Sequence, residues 1–164
     1  MLNKDEEKKL KNLIFLDFDG VVNIPMFVEG RETPRFYFPS DNMVNNYQAC
    51  RWLSLLCLET DSSIVVTSEW RRWDNYKECL KNGGLLHEVN IIGNTPIFYC
   101  DNLTRGKEIR KWMNETSISY DKFIIIDDDD DMEYEDLRSR LIRCDTMIGF
   151  TYYEYRKAKE MLMQ

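Results

Sequence analysis

The chain has 164 residues and a net charge of −7, from 22 basic and 29 acidic side chains. This length suits one domain, and a hydrophobic content of 43% can build a core, which excludes wholesale disorder. No apolar run approaches the roughly 20 residues that cross a bilayer. The acidic balance disfavours general nucleic-acid binding, and stable binding to duplex DNA is not expected, because phosphate contacts need a positive surface.

The first residues, 1–11, form a charged extension, and we expect a single domain over residues 12–164. A secretory signal would need an apolar stretch at this position, so an intracellular, cytoplasmic protein is expected. The cysteines form no Cys-x-x-Cys pair and are odd in number, which predicts reduced thiols that pack in the interior. They are Cys50, Cys57, Cys79, Cys100 and Cys144.

Short apolar runs predict the strands of a sheet. Residues 13–16, 63–66 and 123–126 are apolar runs of strand length, and weaker strands are expected within 85–100 and at 141–144. Because strands of this kind alternate with helical patterns, the sequence predicts a mostly parallel central sheet.

Helical patterns lie between these runs, and one helix is expected to begin near Ser40, carrying Met43, Val44, Tyr47 and Leu55 toward the core. Further helices are expected at about 70–80, 104–114 and 133–139 and after Thr151. Residues 23–39 contain three prolines and predict a loop or small hairpin. The predicted class is α/β, a three-layer, Rossmann-like fold with helices on both faces of the sheet.

Polar residues follow three of the predicted strands, at the point where each strand ends. They are the pairs Asp17/Asp19, Thr67/Ser68 and Asp127/Asp128. Ligands of open parallel sheets bind at the carboxyl ends of the strands, so we expect these groups to meet. Converging carboxylates repel each other unless they take up protons or bind a cation. Oxygen ligands alone suit a hard ion, which predicts Mg²⁺ and, with it, phosphate chemistry.

These residue types can carry out phosphoryl transfer. A carboxylate can attack phosphorus, and a second carboxyl can protonate the leaving oxygen and then activate water. The Thr67 hydroxyl can hold a phosphoryl oxygen, and a cation at Arg105 or Lys107, near a helix start, can neutralise the remaining charge.

Four motifs follow one another along the chain. The first motif is residues 17–20, the second is Thr67, the third is Arg105 or Lys107, and the fourth is the pair Asp127/Asp128. In this order they resemble the haloacid dehalogenase (HAD) superfamily of phosphatases. The resemblance implies that Asp17 is the nucleophile and Asp19 the general acid and base, with Thr67 and either Arg105 or Lys107 as phosphate contacts. It also implies Mg²⁺ as the cofactor. The ion would be held by Asp17, the Asp19 backbone carbonyl, and either Asp127 or Asp128.

A closer resemblance is to the HAD domain of multi-enzyme RNA-repair proteins, from about residue 12 to about 158. It is carried by residues 16–23, 67–71, 105–109 and 126–132, and Gly149 fits as well. Val21 departs from the superfamily, since many members have Thr after the first glycine. The intervals between motifs leave no room for a large cap domain, so the fold is expected to be capless or to have a minimal cap.

An open site would admit a bulky substrate such as a nucleic-acid end, and a phosphorylated small molecule is equally allowed. The expected partner is therefore one of these two kinds of phosphorylated substrate. Ser68 and Arg71 are the candidate substrate-binding residues, because they follow Thr67 closely. The run of residues 70–73 interleaves tryptophan and arginine and could stack bases. In the alternative interpretation, its tryptophans pack on the sheet and its arginines meet solvent.

Two other functions fit parts of the pattern. One is a catalytically inactive HAD-fold module that binds phosphate or a partner. The other is a receiver-type signalling domain, which also uses clustered aspartates, threonine, lysine and Mg²⁺. The order of the motifs argues against a receiver, because receivers carry the paired acids early and the phosphorylated aspartate on a later strand.

Overall fold

The computed structural model describes residues 10–98 and 104–164. Residues 1–9 of the predicted extension and Cys100 lie outside this range. The first strand begins at Leu10, so the last two residues of the predicted extension belong to the sheet. The backbone of Asn12 donates to Asp61 (3.4 Å), and its side chain donates to the Thr60 carbonyl (2.6 Å), which fixes the start of the strand.

The core of the fold is a five-stranded, fully parallel sheet in the order β3-β2-β1-β4-β5. In the central strand, Leu16 aligns with Val66 on one side and with Ile126 on the other. The three strands that precede the polar motifs are therefore neighbours. The strands are β1 (Leu10–Leu16), β2 (Ser62–Val66), β3 (Ile91–Asn94), β4 (Tyr120–Asp127) and β5 (Leu141–Arg143).

Helices cover both faces of this sheet. They are α1 (Tyr47–Thr60), α2 (Tyr76–Asn82), α3 (Arg105–Glu115), α4 (Glu135–Arg138) and α5 (Tyr152–Met163). The longest has 14 residues, and none of the helices within residues 10–98 and 104–164 is long and apolar enough to cross a membrane.

Side chains of β1 point alternately to two separate cores. Ile14 and Leu16 face a core shared with α1, α2 and α5, whereas Leu13 and Phe15 face a core shared with α3 and α4. The predicted three-layer α/β architecture is therefore confirmed. The strand order also differs from the 2-1-3-4-5 order of receiver-type domains, which contradicts the receiver alternative.

Helix α1 begins seven residues later than predicted. Ser40 lies in a short 3-10 turn, and Asn42 ends that turn with a left-handed φ of 57°, so the chain cannot continue as a helix there. The cap is instead Asn46, whose side chain accepts from the Ala49 N–H at 3.1 Å. As a result Tyr47 is 61% exposed, and its predicted core position is wrong. The predicted core positions of Met43 and Leu55 are wrong too, because both side chains are exposed.

The predicted helix at 70–80 is also divided. Residues Glu69–Arg72 form a 3-10 turn, and Trp73 is extended, so α2 starts only at Tyr76. This interruption lets Trp70 turn inward against Phe18, with 5.7 Å between the ring centroids.

Residues 24–38, here called the flap, follow the first motif. An antiparallel bridge between Met26 and Arg35 makes the flap a small hairpin, as predicted. Within the described part of the chain the flap is followed only by a 3-10 turn before α1, so the predicted minimal cap agrees with the structure. Phe27, next to this bridge, is 71% exposed.

Gly149 holds the loop after β5 against the first motif, and its replacement should be costly. Its φ is +79°, and a Cβ would lie 2.4 Å from the Val21 carbonyl oxygen. We expect Gly149→Ala to lower the free energy of unfolding by about 3 kcal/mol, because strain and a backbone clash add. Urea denaturation would measure this loss. Gly30→Ala is the matched control, since Gly30 has φ +80° but open space around it, and it should lose about 1 kcal/mol. Equal losses would contradict the role of close packing.

Candidate active site

The sheet hydrogen bonding continues one residue beyond the strands and fixes the first residues of the motifs. The Asp17 N–H donates to the Ile126 carbonyl at 3.0 Å, and the Thr67 N–H donates to the Leu16 carbonyl at 2.8 Å. Asp127 is the last residue of β4. The register therefore places Asp17, Thr67 and Asp127 side by side at the carboxyl edge of the sheet, as the sequence predicted.

Three carboxylates form a group that could hold a metal ion. Asp17, Asp127 and Asp128 each offer an oxygen, and these oxygens lie within 4.8 Å of one another. Asp17 and Asp127 are buried, and Asp127 Oδ2 accepts no hydrogen bond from any described residue. Three clustered carboxylates, one of them with a buried oxygen that accepts no hydrogen bond from the described residues, fit Mg²⁺, which prefers oxygen ligands. The sequence left open whether Asp127 or Asp128 is the metal ligand, and both belong to this group.

The loop after the first motif closely approaches the loop after β4. Asp128 accepts a 2.6 Å hydrogen bond from the Thr146 hydroxyl. Gly20, with a φ of +75°, lies so close that a Cβ would be 2.2 Å from Asp128 Oδ2. A glycine at this position therefore lets Asp128 lie beside Asp17 and Asp127 in the three-carboxylate group.

Arg105 lies between the two buried carboxylates. Its Nη2 is 3.2 Å from Asp17 Oδ1, and its Nε is 3.3 Å from Asp127 Oδ2. Lys107 instead extends toward Glu133, with 3.9 Å between the charged atoms. The geometry thus favours Arg105 as the phosphate-contacting cation of the two that the sequence left open.

The start of α3 fixes where Arg105 lies. Thr104 caps the helix by accepting from the Lys107 N–H at 3.4 Å, and Asp131 accepts from the Arg105 N–H at 2.9 Å. Asp131 therefore has a structural partner, whereas Asp129 and Asp130 are exposed. The acidic run therefore contributes Asp127 and Asp128 to the carboxylate group and Asp131 to the start of α3.

Asp19 is half-buried and is held by two donors. The Asn23 amide donates to its Oδ1 at 2.5 Å, and the Trp70 indole N–H donates to the same oxygen at 3.1 Å. Burial raises the pKa of Asp19, while these two hydrogen bonds lower it. Its carboxyl group is outside the three-residue metal group, and the role of its backbone carbonyl as a ligand stays a prediction.

The Thr67 hydroxyl is buried and has no protein partner in the described part of the chain. Its Oγ1 is inaccessible to solvent and has no hydrogen-bond partner among residues 10–98 and 104–164. Ser68, a predicted substrate-binding residue, is also buried, and its hydroxyl accepts from the Trp70 N–H at 3.4 Å. The structure therefore leaves the Thr67 hydroxyl, and not that of Ser68, without a protein partner.

Arg71 lies where it cannot serve as the substrate contact that the sequence suggested. Its side chain is 0% exposed, and all five N–H donors are taken by carbonyls and by one carboxylate. The alternative interpretation is also wrong for Arg71, which is buried, and for Trp73, which is 49% exposed. Trp70 is buried, as that interpretation expected. The acceptors are the carbonyls of Thr67, Ser68, Thr95 and Pro96 and the carboxylate of Glu108.

Sequence reasoning missed Glu108. It is buried on α3, three residues after Arg105, and lies 2.7 Å from Arg71 and 3.8 Å from Arg105. The spacing is a weak signal, since residues three apart on a helix share a face. The partner Arg71 could not be found from spacing, because it comes from a distant segment.

Burial dominates the electrostatics of the carboxylate group. It raises the pKa of Asp17 to about 6 and that of Asp127 to about 8. Mutual repulsion adds to the rise, and the Arg105 guanidinium opposes it in both cases. Without a cation, Asp127 therefore retains a proton near neutral pH, whereas Asp17 loses its proton as the pH rises through about 6, and a bound divalent ion would displace these protons.

The sheet order and the motif geometry define a HAD-like α/β domain. The family model for the HAD domain in Swiss Army Knife RNA repair proteins matches residues 13–154, and the chain belongs to this family. No curated protein and no solved structure matches the chain. The matched residues include the carboxylate group, Thr67 and Arg105, so the resemblance predicted from the sequence is confirmed.

Asp127→Asn should stabilise the metal-free protein at pH 8. Because the pKa of Asp127 is raised on folding, the folded state binds more protons than the unfolded chain, and the free energy of unfolding falls as the pH rises from about 4 to about 8. Asparagine removes this cost, and we expect a gain of about 2 kcal/mol in EDTA at pH 8. Denaturant melts at pH 5 and pH 8 would measure it.

The effect of Mg²⁺ on the melting temperature tests the same group in its metal-bound state. Millimolar Mg²⁺ should raise the melting temperature of the wild type at pH 8 and leave Asp127→Asn unchanged. Asp130→Asn is the control, because Asp130 is exposed and pairs with Arg143. A metal-free Asp127→Asn protein that is less stable than the wild type at pH 8 would contradict the assignment.

Proposed function

We propose that this protein is a magnesium-dependent phosphohydrolase that acts through an aspartyl-phosphate on Asp17. The observation that carries the proposal is the carboxylate group beside Arg105, in which Asp17 and Asp127 are buried and Asp128 is half-buried, with carboxylate oxygens within 4.8 Å of one another. A purely structural role would not require such an arrangement, since buried like charges are costly.

In this proposal Asp17 attacks the phosphorus atom and the bond to the leaving oxygen breaks. Asp19 gives a proton to that oxygen in the first step, then takes a proton from the water that hydrolyses the aspartyl-phosphate. The Asn23 and Trp70 hydrogen bonds hold the Asp19 carboxyl in place, and its burial raises its pKa, which helps it to carry the proton.

The phosphoryl oxygens would be held by groups that are already in place. The unpartnered Thr67 hydroxyl would donate to one oxygen, and the Arg105 guanidinium would neutralise part of the charge. Mg²⁺, bound by Asp17 and Asp127 or Asp128, would offset the repulsion between nucleophile and phosphate.

A nucleic-acid phosphate end is the substrate we favour, with a small phosphate monoester as the other candidate. The minimal cap leaves the site open to a bulky substrate, and the flap carries exposed aromatic side chains, one of them next to Arg35. Arg35 lies 5.8 Å from the Tyr37 ring centroid and 6.0 Å from that of Phe38, and Phe38 is 57% exposed. Exposed rings of this kind can stack an unpaired base, which suits a single strand better than a duplex.

A cytoplasmic location is part of the same proposal. Four cysteines among residues 10–98 and 104–164 are free and buried, which fits a compartment that keeps thiols reduced. They are Cys50, Cys57, Cys79 and Cys144.

Asp17→Asn tests the proposed nucleophile. It preserves the shape of the side chain and removes its nucleophilicity, so turnover should fall by at least about 10³-fold. The assay is phosphate release with Mg²⁺ from a panel of small monoesters and of oligonucleotides with 3′- or 5′-phosphate ends, and EDTA should abolish it. Asp130→Asn should stay within about 3-fold of the wild type.

Two results would count against the proposal. Full turnover by Asp17→Asn would exclude that residue as the nucleophile. Saturable binding of the same panel by the wild type, without turnover, would favour the inactive phosphate-binding or partner-binding module.

A further inference from the structure

The 3-10 turn after β2 and the helix α3 are joined by a buried ion pair. Arg71 Nη2 and Glu108 Oε1 are 2.7 Å apart, and the exposed fractions of the two side chains are 0% and 11%. The pair connects the segment that carries Thr67 with the helix that carries Arg105, and these segments are far apart in sequence.

Arg71 organises the backbone next to the Thr67 hydroxyl. Its Nη1 donates to the carbonyls of Thr67 and Ser68, the latter at 2.7 Å, and its Nε donates to the Thr95 carbonyl at 3.2 Å. Because the carbonyls of this turn point to the guanidinium, the opposite side of the turn is left for the phosphate.

Glu108 acts on the other side of the pair. One oxygen of its carboxylate, Oε1, faces Arg71, while the other, Oε2, is 3.8 Å from Arg105 Nη1. Arg105 in turn reaches Asp17 and Asp127 through its other nitrogens. A continuous series of contacts thus runs from the Thr67 backbone through Arg71, Glu108 and Arg105 to the carboxylate group.

We propose that Arg71 and Glu108 are positioning residues, which set the orientation of the Arg105 guanidinium and of the Thr67–Ser68 backbone for phosphoryl transfer. The inference rests on the proposed function for its kinetic test. A buried ion pair contributes little net stability compared with apolar packing, but it fixes geometry, since a planar guanidinium with five occupied donors has one orientation. Neither residue touches the substrate, so both act through Arg105 and Thr67.

A double-mutant cycle between Glu108 and Arg105 separates positioning from stability. Glu108→Gln should lower kcat/KM by about 10- to 100-fold in the wild-type background, because Arg105 loses the charge that orients it. In the Arg105→Lys background the same change should cost less than about 3-fold, since the group that Glu108 positions is already altered. Equal factors in the two backgrounds would overturn the proposal.

Two matched controls accompany this cycle. Glu115→Gln is the same substitution at an exposed position of the same helix, and it should leave kcat/KM within about 2-fold. Arg71→Lys should reduce kcat/KM by about 10-fold or more, because lysine cannot replace the fork that joins two carbonyls to a carboxylate. Arg72→Lys, on the neighbouring residue, should not. If Glu108→Gln fails to fold, Glu108→Asp and Arg71→Lys carry the test.

Hydrogen exchange provides a readout that does not need activity. Arg71→Lys should increase amide exchange both at residues 67–71 and at residues 104–108, whereas Arg72→Lys should increase neither. An increase confined to residues 67–71 would overturn the proposal. Absence of turnover by the wild type would instead count against the proposed function, and the exchange measurement would then decide the coupling by itself.

Discussion

The central constraint in this protein is the crowding of buried carboxylates at one edge of the sheet. Asp17 and Asp127 leave adjacent strands side by side, and burial raises the pKa of both. One guanidinium, that of Arg105, contacts both acids but carries a single positive charge. The group therefore either retains a proton or binds a cation, and that choice connects the fold to the phosphohydrolase chemistry that we propose.

The rest of the fold positions the other side chains of the site at this edge of the sheet. Alternation along β1 builds two cores, which hold the sheet rigid between its helical layers. Gly20 allows Asp128 to approach, and Trp70 turns inward to hold Asp19. Arg71 and Glu108, far apart in sequence, tie the turn after β2 to α3. Together these contacts orient the Thr67 hydroxyl, the Arg105 guanidinium and the aspartate carboxyl groups toward one place.

The sequence predicts this fold well because strand runs and strand-end residues are local signals. The runs before Asp17, Thr67 and Asp127 are apolar enough to be recognised one by one, and parallel order brings their ends together. The start of α1 was missed because Asn42 adopts a left-handed conformation that propensity does not encode. The burial of Arg71 was missed because its partner Glu108 comes from a distant helix, and the spacing of residues along the sequence does not predict which distant side chains pair.

Binding of a divalent cation by these carboxylates can be observed directly. Crystals of the wild type soaked with Mn²⁺, a stand-in for Mg²⁺, would be measured at a wavelength at which manganese scatters anomalously. The account predicts an anomalous peak bonded to carboxylate oxygens of Asp17 and of Asp127 or Asp128, and no peak there in Asp127→Asn. A wild-type map with Arg105 still bridging Asp17 and Asp127, and manganese bound elsewhere or not at all, would contradict the account.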